Sequence, residues 1–310
     1  MVVDSEINGI VTRGVERQKW MIAEDRVEVS KDPQVRIFVA RTGPGPGREP
    51  LLVIHGGPDW DHSYLREPLV RLADHHDVIF ADLRGCGRST RGLGPHHYTP
   101  EAATGDLVAL LDALGLERAD VLGFSYGGLL AQRLAVLAPG RVRRLVIASS
   151  SVPPVPKDAY DGWAERERRT AAERRVWSES TLTGPELTRA AAYAGAEADV
   201  WRAEMLDGYR ERLAAVRFSG EWLRAWQAGS LPSARIDDAA RRLAGLGVPI
   251  LLLHGRQDMT FPVALAEEAS ALIPSARAVI LEEAGHMAHV DQPERWLAAV
   301  TSFLREDLPA

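Results

Sequence analysis

The run ADVLGFSYGGLLAQRLAVLAPG, Ala119 to Gly140, changes its period at a serine. Up to Gly123 it is a short continuous apolar stretch, the pattern of a strand buried on both faces. Beyond Tyr126, Leu129, Leu130, Leu134 and Leu137 recur at helical spacing. Glycines at 123, 127 and 128 bracket Ser125, so the backbone can turn from strand to helix without side-chain collision. A chain that makes this turn sets a hydroxyl at the carboxyl end of a parallel strand.

The same rhythm runs along most of the chain. DRVEVS and VRIFVA alternate as strands joined by a turn at KDPQ. LLVIHGG and HDVIFADLRG read as buried strands, and SYLREPLVRLADH between them reads as a helix interrupted or started at Pro68. In TPEAATGDLVALLDALGLE, Thr99 is placed to cap a helix, Pro100 suits its first position and Gly115 its stop. After strand VRRLVIASS the alternation breaks. From Ser151 to Arg235 the segments DAYDGWAERERRTAAERRVW, GPELTRAAAYAGAEADVWRAEML and GEWLRAWQAG read as helices. Trp163, Trp177, Trp201, Trp222 and Trp226 lie among them as packing residues, one or two of which can also face a pocket. Alternation resumes with VPILLLHGRQD, PVALAEEASALI, ARAVILEEAGH and PERWLAAVTSFLRE. The expected fold class is α/β: a mostly parallel eight-stranded sheet flanked by helices, with a core of residues 1–150 and 236–310 and a helical cap inserted over 151–235.

A serine hydroxyl is a weak nucleophile until an adjacent base takes its proton and a third group orients that base. Gly-Phe-Ser-Tyr-Gly, residues 123–127, matches the G-x-S-x-G turn, and a helix starting at Tyr126 points free N–H groups and its positive end at Ser125. The acid is expected after a later strand, where Asp258 follows LLLHGRQ. The base comes last: His286 follows Gly285 in EEAGHMAHVDQPE, while His289 is read as a packing or hydrogen-bonding neighbour. His55-Gly56-Gly57-Pro58 ends the first buried parallel strand, and its turn can aim the Gly57 N–H, together with that of Tyr126, at a developing oxyanion. A glycine-rich turn around a buried serine, and an aspartate in a surface turn, are the bland alternatives. The order serine, acid, histidine at three predicted strand ends weighs against them.

Other chemistries find less support. A net charge of −6 gives no basic stripe for nucleic acid, and no apolar run approaches the length of a membrane span. The N-terminal MVVDSEINGIVTRG is acidic where a leader would be positive. Cys86 is the single cysteine, so no intrachain disulfide forms and a cytoplasmic location is expected. His75-His76 and His96-His97 are adjacent pairs without zinc-site spacing, so no metal is expected. No cofactor is expected either. In DLRGCGRST, Gly85 and Gly87 lack the phosphate-loop pattern, and the loop is read as a rigid neighbour of the site with Cys86 as a small buried side chain.

At these residues the chain resembles the α/β-hydrolase superfamily, and within it the proline iminopeptidases and the tricorn-interacting aminopeptidase of peptidase family S33. The shared landmarks are HGGP and SYL within 55–65, DLRGCGRS at 82–89, GFSYGG at 123–128, GRQD at 255–258 and GHMAHVDQPE at 285–294. The sequence departs from that family where HGGPG reads HGGPD, placing the carboxylate of Asp59 near the entrance, and at Phe124, which adds bulk beside the turn. Such enzymes hold a free substrate amine with glutamates from the helical cap. Glu204, Glu211 and Glu221 lie in the corresponding segment, so Asp59, Phe124, Glu204 and Glu221 are the candidate substrate-binding residues.

The resemblance implies a metal-independent aminopeptidase that releases N-terminal residues from short peptides through an acyl-enzyme. The same triad also serves an esterase, a lactonase or another small-molecule hydrolase, carbon–carbon bond hydrolases included. A non-catalytic binding protein on this scaffold is a reading of a different class; its signature would be an incomplete triad, and all three residues are present. The expected partner is a small peptide or a small-molecule ester or amide, not nucleic acid or membrane.

Overall fold

The computed structural model describes residues 21–306. The stretch in which no leader is read, residues 1–14, lies outside the described residues. Eight strands form one sheet: β1 (Ala23–Lys31), β2 (Gln34–Arg41), β3 (Glu49–Ile54), β4 (His76–Ala81), β5 (Ala119–Phe124), β6 (Val142–Ala148), β7 (Ile250–Gly255) and β8 (Ala276–Leu281). Their order is β1-β2-β4-β3-β5-β6-β7-β8. β1 and β2 form an antiparallel hairpin, β2 is antiparallel to β4, and every later pairing is parallel. The fold is the expected α/β arrangement, an eight-stranded, mostly parallel sheet with flanking helices.

The helices are α1 (Arg66–Leu69), α2 (Pro100–Ala113), α3 (Tyr126–Leu137), α4 (Ala164–Glu179), α5 (Gly184–Asp199), α6 (Leu206–Ala215), α7 (Glu221–Gln227), α8 (Ala239–Ala244), α9 (Ala264–Leu272), α10 (Ala288–Asp291) and α11 (Pro293–Arg305). Central strands read as unbroken apolar runs because both faces are covered. Leu52, Ile54, Val121 and Leu252 pack on one face with Leu107 and Leu110 of α2 and Leu130 and Leu134 of α3. Leu51, Val53, Leu122 and Leu251 pack on the other with Trp296, Val300 and Phe303 of α11. Among the described residues, no helix is long and apolar enough to cross a membrane.

Local signals account for several boundaries. Thr99 Oγ1 accepts the Ala102 N–H at 3.1 Å, capping α2, and Gly115 beyond its end has φ +67°. SYLREPLVRLADH is interrupted at Pro68 as expected, forming α1 and two flanking 3-10 turns, Ser63–Leu65 and Val70–Asp74. Glu67, before Pro68, is extended at φ −96°, ψ 128°. The proline ring clashes with a helical residue in front of it, so the break falls there. Between β6 and β7 no segment joins the sheet, and α4 to α8 occupy this stretch.

The sheet order reverses direction at β3, whose neighbours are β4 and β5. Ligand crevices of open parallel sheets lie at the carboxyl ends of strands flanking such a reversal. Here those ends lead into Gly56-Gly57 and Ser125. The loop after β4 is held in place alongside: Asp82 Oδ1 meets His62 Nδ1 at 2.5 Å, Arg84 grips Asp106 with two bonds of 2.6 Å, and Cys86 is buried.

Candidate active site

Ser125 joins β5 to α3 with φ 54° and ψ −121°, a left-handed conformation that a non-glycine residue adopts only when its surroundings enforce it. Its N–H donates to the Ala148 carbonyl at 2.9 Å. Two neighbouring glycines make the turn possible. A Cβ on Gly123 would strike the Gly127 carbonyl, and one on Gly127 would strike the Ile54 carbonyl at the end of β3. With both absent, α3 starts against β3 and lifts Ser125 into a cavity of about 400 Å³.

His286, on the loop after β8, lies with Nε2 3.0 Å from Ser125 Oγ and Nδ1 3.0 Å from Asp258 Oδ2. Asp258 follows β7, and its Oδ1 accepts the N–H groups of Thr260 at 2.7 Å and Phe261 at 2.9 Å. His254 Nε2 is 3.2 Å from Oδ2. Burial works against the charge on Asp258, but His286 and His254 outweigh it and hold the carboxyl well below the usual carboxylate range. Burial likewise works against a charged His286, and Asp258 outweighs it, raising the imidazole pKa. In the tautomer this pairing selects, Nδ1–H donates to Asp258 and Nε2 is free to accept the serine proton.

His289 packs among the rings of Tyr64, Phe124 and Trp296, and burial drives its pKa well below that of a free imidazole. Phe124 is fully buried, lines the cavity, and stands 5.3 Å from the His286 ring. Gly57 has φ +110° and lines the cavity. Neither its N–H nor that of Tyr126, the first residue of α3, has an acceptor among the described residues. Tyr64 Oη, which accepts the Gly56 N–H at 2.8 Å, steadies this turn.

The candidate substrate carboxylates are placed differently from one another. Glu204 is exposed and ion-paired with Arg202 at 2.7 Å, away from the cavity. Glu221 pairs with Arg224 and also does not line it; Glu211 is exposed. Asp59 touches the cavity, but its carboxylate is taken by the Ser219 hydroxyl and by the N–H groups of Trp222 and Leu223. Two other carboxylates line the walls: Glu173 of α4 and Asp199 of α5. Glu173 accepts the Trp177 indole N–H at 3.1 Å, and Asp199 accepts the Tyr209 hydroxyl at 2.8 Å. Burial pushes the Asp199 carboxyl up to about 7, with the nearby His286 opposing the rise and Glu173 adding to it. Neither pairs with an arginine or lysine among the described residues, and none lines the cavity. Trp60, Trp177, Trp222 and Trp226 supply apolar wall around them. Sequence reading missed both acids because Glu173 sits in a run charged on every side and Asp199 ends a helix with no motif around it.

A hydroxyl, a base aligned on it, a fixed acid and two unclaimed N–H groups on one cavity can carry out acyl transfer. Comparison with known proteins agrees in fold. A family model described as alpha/beta hydrolase fold matches residues 49–293. A 2-hydroxymuconate semialdehyde hydrolase from Pseudomonas putida is 28% identical over 270 residues, covering 83% of this chain and 87% of that protein. A thermophilic esterase from Thermogutta terrifontis superposes with a TM-score of 0.69 at 25% identity, over 91% of this chain and 98% of the esterase. A proline iminopeptidase-related protein from Thermus thermophilus gives the same TM-score, 0.69, at 24% identity over 92% and 97% of the two chains, a likeness of fold.

Proposed function

The chain belongs to the alpha/beta hydrolase fold family, and from that premise we propose that it is a serine hydrolase of small esters and amides that are neutral or positively charged. Ser125 attacks the carbonyl carbon while His286 takes its proton, and Asp258 holds the ring. The N–H groups of Gly57 and Tyr126 bind the oxyanion. His286 then protonates the departing alcohol or amine, and water cleaves the acyl-enzyme by the same path. Residues 151–235 serve as a cap whose helices supply one wall of the substrate pocket.

The charge of that wall carries the substrate class. Glu173 and Asp199 face the cavity without a cationic partner. An anionic substrate, such as a muconate, would meet Glu173 and, above about pH 7, the charge of Asp199, with no lysine or arginine among the described residues on the cavity to offset them. Uncharged acyl groups fit the tryptophan-lined remainder. The same pair of acids favours a second reading, release of N-terminal residues from short peptides, because an ammonium group leaving water for such a pocket must be paired.

Fluorophosphonate labelling followed by a substrate panel tests both. Labelling is expected in the wild type and lost in Ser125→Ala; an unlabelled wild type would end the serine mechanism. Acyl esters are expected to turn over, and carboxylate-bearing esters to turn over poorly. A free amino-acyl arylamide cleaved at least ~10-fold faster than its N-acetylated form, about 1.4 kcal/mol of differential transition-state binding, would select the aminopeptidase.

A further inference from the structure

Two buried aspartates outside the triad tie the helical segment between β6 and β7 to the loops on either side of the cavity. Asp59 is 3% exposed and Asp291 is fully buried. Asp59 follows the Gly57-Pro58 turn. Its Oδ1 accepts the Ser219 hydroxyl at 2.6 Å and the Trp222 N–H at 3.0 Å, and its Oδ2 accepts the Leu223 N–H at 2.8 Å. Its carbonyl takes the Ser219 N–H at 2.8 Å. Asp291 does the same from the opposite side. It accepts the N–H groups of Trp201 at 3.0 Å, Arg202 at 2.9 Å and Gly285 at 2.8 Å. Gly285 precedes His286, and Met287, which follows it, donates its N–H to the Asp199 carbonyl at 2.8 Å. Both amides flanking the base are thus held by this junction.

Burying a carboxylate is costly unless a cation offsets it. Several other buried aspartates have an arginine: Arg41 for Asp77, Arg84 for Asp106, and Arg143 and Arg144 for Asp120. Neither Asp59 nor Asp291 forms a carboxylate ion pair among the described residues; the hydrogen bonds to both carboxylates come from neutral donors, and the Arg202 guanidinium sits on the Asp291 carbonyl instead. An apolar side chain in the same space would leave those N–H groups without an acceptor. What the carboxylates add is a grip across segments: Asp59 ties its own loop to residues 219–223, and Asp291 holds Trp201 and Arg202 together with Gly285.

We propose that Asp59 and Asp291 are positioning residues that make the seating of the helical segment and the geometry of the reacting groups one coupled variable. Asp59 sets the Gly57 N–H against residues 219–223, and Asp291 sets the His286 ring through Gly285. This rests on the reading of Ser125 as nucleophile.

Asp59→Asn and Asp291→Asn keep size but exchange one acceptor oxygen for a donor, and Ser219→Ala removes a single donor to Asp59. All are compared, as the full chain, with the wild type and Ser125→Ala by circular dichroism, fluorophosphonate labelling and ester hydrolysis. Folded Asp59→Asn is expected to lose about tenfold in kcat and Ser219→Ala about twofold, with KM held within about twofold, because a misplaced oxyanion donor weakens the transition state more than the ground state. Asp291→Asn is expected also to move the acidic limb of kcat/KM to lower pH, since a loosened loop relaxes the His286–Asp258 pair; Asp59→Asn leaves that limb in place. Unchanged kcat in Ser219→Ala and in folded Asp59→Asn, or an unmoved limb in folded Asp291→Asn, would overturn the proposal. If an asparagine variant does not fold, Ser219→Ala decides for Asp59, and Asp291→Glu, which keeps the carboxylate but displaces it, decides for Asp291 by the same acidic limb. Failure of the serine reading is distinct: Ser125→Ala would then retain labelling and turnover.

Discussion

One oxygen of Asp258 meets His286 Nδ1 at 3.0 Å while the other is taken by the N–H groups of Thr260 and Phe261. The carboxylate therefore cannot turn away from the ring, and its charge raises the His286 pKa against the opposing effect of burial. In the proposed mechanism His286 accepts the Ser125 proton only when neutral. The sign follows: activity should rise with pH, and the acidic limb of kcat/KM should have its midpoint above the ordinary imidazole value of about 6.5. Asp258→Asn should move that midpoint down while lowering the rate. A wild-type midpoint below the ordinary value, in a profile from roughly pH 5 to 9, would contradict this account.

Ser125→Ala, His286→Ala and Asp258→Asn should each leave the fold intact and lower kcat by about 10³-fold or more. In the proposed mechanism the three act as a unit, so double variants should be little worse than the worst single one. Ester hydrolysis by purified variants, checked for fold by circular dichroism, measures both statements. Multiplying losses in the doubles would show that the groups act independently.

The parts of this site that were legible in the sequence are those whose signals are local. The turn at Ser125 announces itself because the period changes there and because the flanking glycines leave room that no side chain could share. Thr99 capped α2 for a similarly local reason. The cavity acids were illegible because they depend on how one helix crosses another. Glu173 lies in AERERRTAAERRVW, where nearly every face is charged, and only the packing of α4 on α5 decides which acid points inward. Glu204 and Glu221, acidic and in the same segment, find arginines beside them and stay outside the cavity. Asp59 reads as a free carboxylate at the entrance, yet a buried acid seeks donors, and the first N–H groups of α7 are the nearest ones.

Asp199 should cost the fold stability at neutral pH. Its carboxyl is pushed up from 3.8 to about 7. Between those values the folded protein keeps a proton that the unfolded chain has released, so stability falls as pH rises through this window. Asparagine keeps an oxygen to accept the Tyr209 hydroxyl and removes the charge. Asp199→Asn is therefore expected to stabilise the protein by about 1–2 kcal/mol, or a few degrees in Tm, at roughly pH 8. At roughly pH 4 it should change little, since the wild-type carboxyl is already protonated in the fold. Thermal unfolding at the two pH values checks the difference, and an equal effect at both would remove the titration from the explanation.

The same ionisation should be visible in substrate choice. With Asp199 charged above about pH 7, the pocket holds two negative groups; below it, Glu173 stands without that partner's charge. A cationic ester should bind better as pH rises through this range, through KM, while a neutral ester of the same acyl size should show no such trend. An anionic ester should show the opposite trend. Glu173→Gln is expected to reduce the cationic-to-neutral ratio of kcat/KM about three- to tenfold, the effect of one partly screened charge near the substrate. Asp199→Asn should abolish the pH dependence of the ratio and move the acidic limb set by His286 to lower pH, because the Asp199 charge is one of those that raise it, while Asp258 keeps the limb present. Steady-state kinetics on the three esters across the range, in the wild type and both variants, separate pocket charge from base titration. A ratio that is flat with pH in the wild type and unchanged in Glu173→Gln would mean that neither carboxylate meets the substrate, and the pocket would then select by shape alone.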